Sequence, residues 1–231
     1  MSVALITGVG PGTGAALARR FAEGGYEVAM VARNADRLEA LAAEIDRTHA
    51  FPVDVTDATA LDAAIGRVEA QLGPPQIVVH NAVGGAFGSF QDIDPAVLAR
   101  NFEVNVMAFL HLARRVAPAM VAAGQGAIIA SGNTSALRGR ANFAGFAPTK
   151  AAQRILAEAI ARDLGPKGVH VAYVVIDAVI DLEWTRKRFD KAPDDFFIKP
   201  ADIAAEIFHV AHQPKSAWSF NVEVRPFGET W

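Results

Sequence analysis

The sequence predicts an α/β domain, a mostly parallel sheet with helices on both faces, and three observations predict it. Short apolar runs recur along the chain, each followed by a stretch with the apolar spacing of an amphipathic helix. The first run ends in a glycine-rich turn that opens at once into an Ala/Leu-rich segment, Ser2-Val-Ala-Leu-Ile-Thr-Gly-Val-Gly-Pro-Gly-Thr-Gly14. At 231 residues, 52% hydrophobic and 20% charged, the chain has the composition of one globular α/β unit.

In chain order, Val3 to Ile6 form a strand that stops at Thr7. Helix one, residues 14–24, sets Ala16, Leu17 and Phe21 against Arg19, Arg20 and Glu23. Strand two, residues 27–32, leads to Arg33-Asn34, and helix two, residues 35–46, repeats Leu38, Leu41 and Ile45. Strand three, residues 49–53, runs into Asp54-Val55-Thr56-Asp57. Thr56 or Asp57 can cap the next helix, which carries Leu61, Ile65, Val68 and Leu72 and ends at Pro74-Pro75. Strand four, residues 76–80, opens into Asn81-Ala-Val-Gly-Gly85; a long helix over 95–122 and strand five over 126–130 follow. The next helix is expected over 143–164, with Pro148 acceptable only near its first turn. Strand six covers 169–176, and the polar stretch 177–199 reads as a short substrate lid. A helix over 200–212 and a strand over 221–225 close the chain.

Seven strands alternating with six helices, joined by right-handed crossovers, give a single doubly wound, Rossmann-like domain over residues 1–231. In such a sheet, ligand sits beyond the C-terminal strand ends, here Gly8, Arg33, Asp54, Asn81, Ser131 and Asp177. The first turn has the form that binds the diphosphate of a dinucleotide, and the same glycines also make a tight βα turn without a ligand. A helix N-terminus offers unpaired N–H groups and partial positive charge, and glycine removes side chains that would hold phosphates away.

Other classes are disfavoured. A net charge of −3 gives no electrostatic case for nucleic acid or an anionic membrane. The absence of cysteine rules out disulfides and thiol chemistry. No uninterrupted apolar run approaches the ~20 residues of a membrane helix, and no basic segment precedes an apolar one at the start, so the expected location is the cytoplasm. His209 and His212 are three apart, but no further ligand type joins them, and no metal site is expected.

The motifs resemble those of the short-chain dehydrogenase/reductase family. Thr7-Gly8-Val-Gly-Pro-Gly12-Thr13-Gly14 matches its TGxxxGxG; Asp54-Val55 matches its adenine-contacting turn; Asn81-Ala82-Val-Gly84 is similar to its NAG motif. Asn105 falls at the family's structural and catalytic Asn, and Lys150 at its catalytic Lys, which binds the nicotinamide ribose. The resemblance implies nucleotide contacts at Gly8, Gly12, Thr13, Gly14, Arg33, Asn34, Asp54, Val55, Asn81, Ala82 and Lys150. Ala32 stands where NAD-preferring sites place an acid, and Arg33 can bind a 2′-phosphate, so NADP(H) is expected over NAD(H).

Two positions of the implied catalytic set depart. The family's YxxxK reads Phe146-Ala-Pro-Thr-Lys150, and Asn133 stands where the family has Ser. Phe has no ionisable group and cannot act as a general acid. Tyr26 and Tyr173 lie elsewhere, and the set becomes Asn105, Asn133, Phe146 and Lys150. Asn133 can donate to a carbonyl in place of Ser or simply make a turn. Asp177 and Asp181 follow strand six in place of the family's Pro-Gly. They would serve as acids if burial raised their pKa, or else cap the segment and pair with Arg186 or Lys187. His80 reads as packed rather than catalytic, and Phe143, Phe146, Phe189, Phe196, Phe197 and Trp184 suggest an aromatic mouth.

Two functions compete: an NADP(H)-dependent oxidoreductase acting on a small molecule, and a non-catalytic NADP(H)-binding sensor or structural subunit. A substrate needing hydride but no enzymic proton, such as an iminium, would suit Phe146. The resemblance implies a homodimer or homotetramer packed through the fourth and fifth helices and the last strand. Trp218, Phe220, Phe227 and Trp231 near the chain end are expected to be buried against another subunit.

Overall fold

The protein is represented by a computed structural model, which describes residues 2–229. Its strands are β1 (Val3–Thr7), β2 (Glu27–Ala32), β3 (Thr48–Pro52), β4 (Ile77–His80), β5 (Ala127–Asn133), β6 (His170–Ile176), β7 (Val179–Ile180), β8 (Phe197–Ile198) and β9 (Asn221–Val224). Its helices are α1 (Thr13–Glu23), α2 (Ala35–Glu44), α3 (Ala58–Leu72), α4 (Pro95–Phe102), α5 (Ala108–Ala123), α6 (Ala147–Leu164), α7 (Glu183–Arg188) and α8 (Pro200–Ala211). Seven strands pair in the order β3-β2-β1-β4-β5-β6-β9, every ladder parallel, and β7 pairs β8 in a separate two-stranded sheet.

Strands at the centre are buried on both faces, as parallel pairing requires. Alternate residues of β1, β4, β5 and β6 enter two different cores. Leu5, Val78, Ile128 and Tyr173 join α3, α5 and α6, while Ile6, Val79, Ile129 and Val174 join α1 and α8. The strand order turns at β1 and β4, which places the ends of β1, β4 and β5 at the crevice where ligands of this architecture bind.

Several elements differ from the sequence expectation. The expected helix over 95–122 is interrupted by a π turn, Glu103–Met107, between α4 and α5. Two carbonyls of that turn are taken by side chains, Val104 O by His80 Nε2 (3.2 Å) and Asn105 O by Gln153 Nε2 (2.7 Å). Insertion of polar groups into a helix ladder is a recognised cause of such bulges. The whole stretch Pro95–Ala123 is a helix of 29 residues, long and apolar enough by length and composition to cross a membrane. Its inward face, including Asn105, Phe109, Leu112 and Val116, is fully buried in this domain, the position of a core helix. Helix α6 begins at Ala147 rather than 143, which puts Pro148 in its first turn where its missing N–H does no harm.

The stretch expected as a polar lid is ordered by β7, α7 and β8. The chain end packs in part on its own chain. Trp218 stacks on His170 of its own chain with centroids 4.9 Å apart, and Phe220 packs on the core cluster. Folding back on the sheet edge leaves both rings half-buried. Phe227 remains 90% exposed, and Trp231 lies outside the described residues.

Gly132 provides a direct packing test. A Cβ there would stand 2.1 Å from Tyr173 Cζ and 2.2 Å from its hydroxyl, so β5 leaves room for a ring rising from β6. Gly132→Ala is expected to destabilise the fold by about 2–3 kcal/mol through overpacking, measured by urea unfolding. Tyr173→Phe should not rescue it, because the ring carbon itself is in the way.

Candidate functional site

The glycine turn is shaped by close backbone approach. Gly8 has φ of +72°, and a Cβ there would lie 2.4 Å from Ala82 N. A Cβ on Gly14 would lie 2.6 Å from Val9 Cα, so the start of α1 can sit tight against the turn only without side chains. Asn81 ties the same junction together, donating from Nδ2 to Gly8 O (3.1 Å) and accepting at Oδ1 from Ser131 Oγ (3.1 Å). Gly12 caps α1 without a side-chain hydrogen bond, and the first turn holds no acid. That leaves a helix N-terminus suited to an anion. A Cβ on Gly12 would meet Leu182 Cδ2 at 2.5 Å, so the segment before α7 reaches over the turn. Thr13 is buried beneath it.

At the neighbouring strand ends, Arg33 is exposed immediately after Ala32. Asn34 caps α2, its Oδ1 accepting from Arg37 N at 2.8 Å. Asp54 is engaged locally: Oδ1 accepts from Thr56 N (3.0 Å) and Thr56 Oγ1 (2.9 Å), with Val55 buried behind it. In both contacts Asp54 is the acceptor.

Behind this edge lies a buried polar network. Lys150 is 3% exposed, and its Nζ donates to Ser131 O (3.1 Å) and Gln153 Oε1 (2.9 Å). Burial lowers its pKa from the usual 10.5 to about 7. Asn105 is fully buried and saturated. Its Oδ1 accepts from Gly84 N, and its Nδ2 donates to Gly84 O and Thr149 Oγ1. It therefore clamps the loop after β4 to α6. His80 meets the carbonyl of Val104 through Nε2 and Thr7 Oγ1 through Nδ1 (3.0 Å). Since a carbonyl only accepts, Nε2 carries the proton and the neutral ring takes the Thr7 hydroxyl at Nδ1. Burial, then the Lys150 charge, push its pKa down to about 3, so His80 is packed and neutral.

The positions expected to carry proton chemistry separate clearly. Phe146 is 8% exposed and packs over Gly85, where a Cβ would lie 3.1 Å from its Cδ2. Asn133 uses Oδ1 to accept from Ser135 N (3.1 Å), capping the turn that follows β5. Asp181 is held bidentately by Arg186 at 2.6 and 2.8 Å, and that guanidinium keeps its carboxyl below the usual carboxylate range. An acid so held is ionised and bound, and cannot be the proton source. Asp177 differs: it is 6% exposed, its Oδ1 lies 3.9 Å from Arg138 Nη2, and its Oδ2 is buried without a hydrogen-bond partner.

The aromatic residues form two groups rather than one mouth. Phe87 meets Phe143 and Phe146 edge-on near the end of β4, while Phe189, Phe196 and Phe197 pack together around the lid. Trp184 is 61% exposed and joins neither. Sequence reasoning missed Phe87, Gln153 and the inward role of Tyr173. For Gln153 the available signal was a polar residue on the helix face already assigned to Phe146 and Lys150. Among the described residues, no group of His, Asp and Glu could hold a metal ion.

Comparison with known proteins bears on this arrangement. A family model described as short chain dehydrogenase matches residues 2–191. The chain is 32% identical over 227 residues to 7alpha-hydroxysteroid dehydrogenase of Escherichia coli K12, covering 93% of this chain and 88% of that protein. A metagenomic short-chain oxidoreductase crystallised in complex with NADP has a TM-score of 0.85 and 30% identity, with 97% of each chain covered. An NADPH-bound short chain oxidoreductase from Pseudomonas aeruginosa PAO1, described as containing an atypical catalytic center, has a TM-score of 0.90. At 23% identity, over 99% of this chain and 96% of that one, this last likeness concerns the fold.

The burial of Lys150 has a measurable consequence. An unfolded chain keeps this proton up to about pH 10, whereas the folded protein releases it near 7. The unfolded state therefore binds more protons between those values, and stability attributable to this group rises with pH across that window. Lys150→Met is expected to raise the melting temperature at pH 6 and to do so much less at pH 9.5, as followed by calorimetry. An equal gain at both pH values would show that the ammonium is not the penalised group.

Proposed function

The chain belongs to the short-chain dehydrogenase family, and on that premise we propose that it is an NADP(H)-dependent oxidoreductase whose hydride transfer proceeds without a tyrosine acid. The observation that carries this reading is the pairing of a complete nucleotide edge with a phenyl ring at position 146. Gly8, Gly12 and Gly14 leave the α1 N-terminus open to a diphosphate, with Thr13, Asn81 and Ala82 fixing its shape. Exposed Arg33, following Ala32 where an acid would repel it, favours a 2′-phosphate, with Asn34, Asp54 and Val55 lining the adenosine side. When bound, the nucleotide supplies the hydride.

Within this reading, Lys150 is the cation that orients the ribose, Asn105 holds the loop after β4, and Asn133 has its amino group available for a carbonyl or imine. No group at position 146 moves a proton. Asp181 is engaged by Arg186, which leaves Asp177 as the carboxylate able to meet substrate. A buried carboxylate oxygen without a donor is costly, on the order of 1–3 kcal/mol or more, and an N–H of an iminium substrate would satisfy it. Such a small-molecule substrate needs hydride alone, which suits Phe146, and the Phe87, Phe143 and Phe146 rings favour an apolar one.

A second reading, a non-catalytic NADP(H)-binding sensor or structural subunit, is favoured by the burial of Phe146 where the family places its acid. In either case we propose a cytoplasmic homodimer or homotetramer. Ile155 on α6 is 60% exposed and Phe227 after β9 is 90% exposed, which supports assembly through α5, α6 and the last strand.

Titration followed by tryptophan fluorescence is expected to give NADPH affinity at least tenfold tighter than NADH, a difference of ~1.4 kcal/mol. Arg33→Ala should remove most of that preference; equal affinities in the parent would refute the assignment to Arg33. The double change Phe146→Tyr with Asn133→Ser should confer carbonyl reductase activity that the parent lacks. Ordinary ketone reduction by the parent would count against hydride transfer to an iminium, and failure of the nucleotide to bind would remove both readings.

A further inference from the structure

Gln153 lies three residues beyond Lys150 on α6, is fully buried, and uses both ends of its carboxamide. Nε2 donates to Asn105 O at 2.7 Å. That oxygen can only accept, which fixes the orientation of the amide and turns Oε1 toward Lys150 Nζ, 2.9 Å away. The second acceptor of the ammonium is Ser131 O, so both of its hydrogen-bond partners are neutral oxygens. The titratable side chains that face this network are His80 from β4 and Tyr173 from β6, both neutral at pH 7. The Tyr173 hydroxyl donates to Lys150 O (3.3 Å) and approaches Gln153 Oε1 at 3.5 Å. Asn105, in turn, grips Gly84 on the loop after β4.

We propose that Gln153 is a positioning residue of this site: it holds the Lys150 ammonium against the end of β5, ties it through Asn105 to the nucleotide-side loop, and governs the charge Lys150 presents. The use made of that charge rests on the nucleotide reading; the placement of the charge does not. A carboxamide keeps one protonation state near neutral pH, so the lysine is tethered without being coupled to a second titrating group. Replacing it with a carboxylate would pair the ammonium with an opposite charge at hydrogen-bond distance. Replacing it with an apolar side chain of similar length would leave one acceptor of two.

The test follows the lysine directly. In nucleotide-free protein labelled with ¹³C-lysine, the Cε signals are titrated by NMR, and Lys150→Met identifies the signal by its loss. The wild-type midpoint is expected near 7. Gln153→Glu should raise it by about one unit or more, and Gln153→Met should lower it. The pH above which NADPH affinity declines should move the same way in each variant. Should Gln153→Met fail to fold, Gln153→Glu decides alone. An unchanged midpoint in a folded variant, with only the melting temperature altered, overturns the proposal. Midpoints that move while NADPH fails to bind at any pH leave the positioning role standing and remove the nucleotide reading. Binding of NADPH with immobile midpoints does the reverse.

Discussion

A lysine ammonium buried with only neutral oxygens as hydrogen-bond partners is the constraint on which the C-terminal edge of this sheet depends. Withdrawing a cation from water without an opposite charge is expensive, and hydrogen bonds must recover what they can. Here the recovery draws in the backbone end of β5, the side chain of Gln153 and, through it, the carbonyl of Asn105. The π turn between α4 and α5 follows from the same requirement, because it frees carbonyls for Gln153 and for neutral His80. A site organised this way holds a titrating cation in one place at a cost in stability. That is a sensible arrangement when the charge serves a ligand, and a poor one when it serves only the fold.

The relation between nucleotide edge and reaction centre is correspondingly uneven. The edge is made from backbone approach: Gly8 against Ala82, Gly14 against Val9, Asn81 across to Gly8. The centre is made from side chains, and each position expected to handle a proton is replaced or engaged. Phe146 fills space, Asn133 caps a turn, and Asp181 belongs to Arg186. Among the described residues, only Asp177 combines burial with a side-chain oxygen left without a hydrogen-bond donor.

What the sequence disclosed and what it withheld divide along the same line. Glycines forced by close approach, strands buried on both faces and capping residues such as Asp57 leave their mark on local composition, and these elements were legible. The π turn was not, because it is produced by groups from β4 and α6 that are distant in the chain. Gln153 was hidden for a similar reason: a polar residue inside an amphipathic helix is read as surface until its partners are known. The difference between Asp177 and Asp181, two carboxylates four residues apart, lies in their partners: Arg186 grips Asp181 bidentately, whereas Asp177 has Arg138 at 3.9 Å on one oxygen and no donor on the other. The aromatic chain end shows the same limit, because apolar residues announce that they will be covered without saying by what; His170 and the core beneath β6 cover part of Trp218 and Phe220.

The fit of Tyr173 over Gly132 also bears on how this chain could have arrived at its present sequence, and on how it could leave it. With a ring carbon 2.1 Å from where a side chain would begin, positions 132 and 173 form a single heritable locus distributed over two strands. A lineage that gains a serine or alanine at 132 must first accept a small residue at 173. That step removes the ring and the hydroxyl that meets Lys150 O, so the intermediate carries a cavity. A side chain at 132 is thus one substitution away in the chain, yet it is reached only through a less stable intermediate.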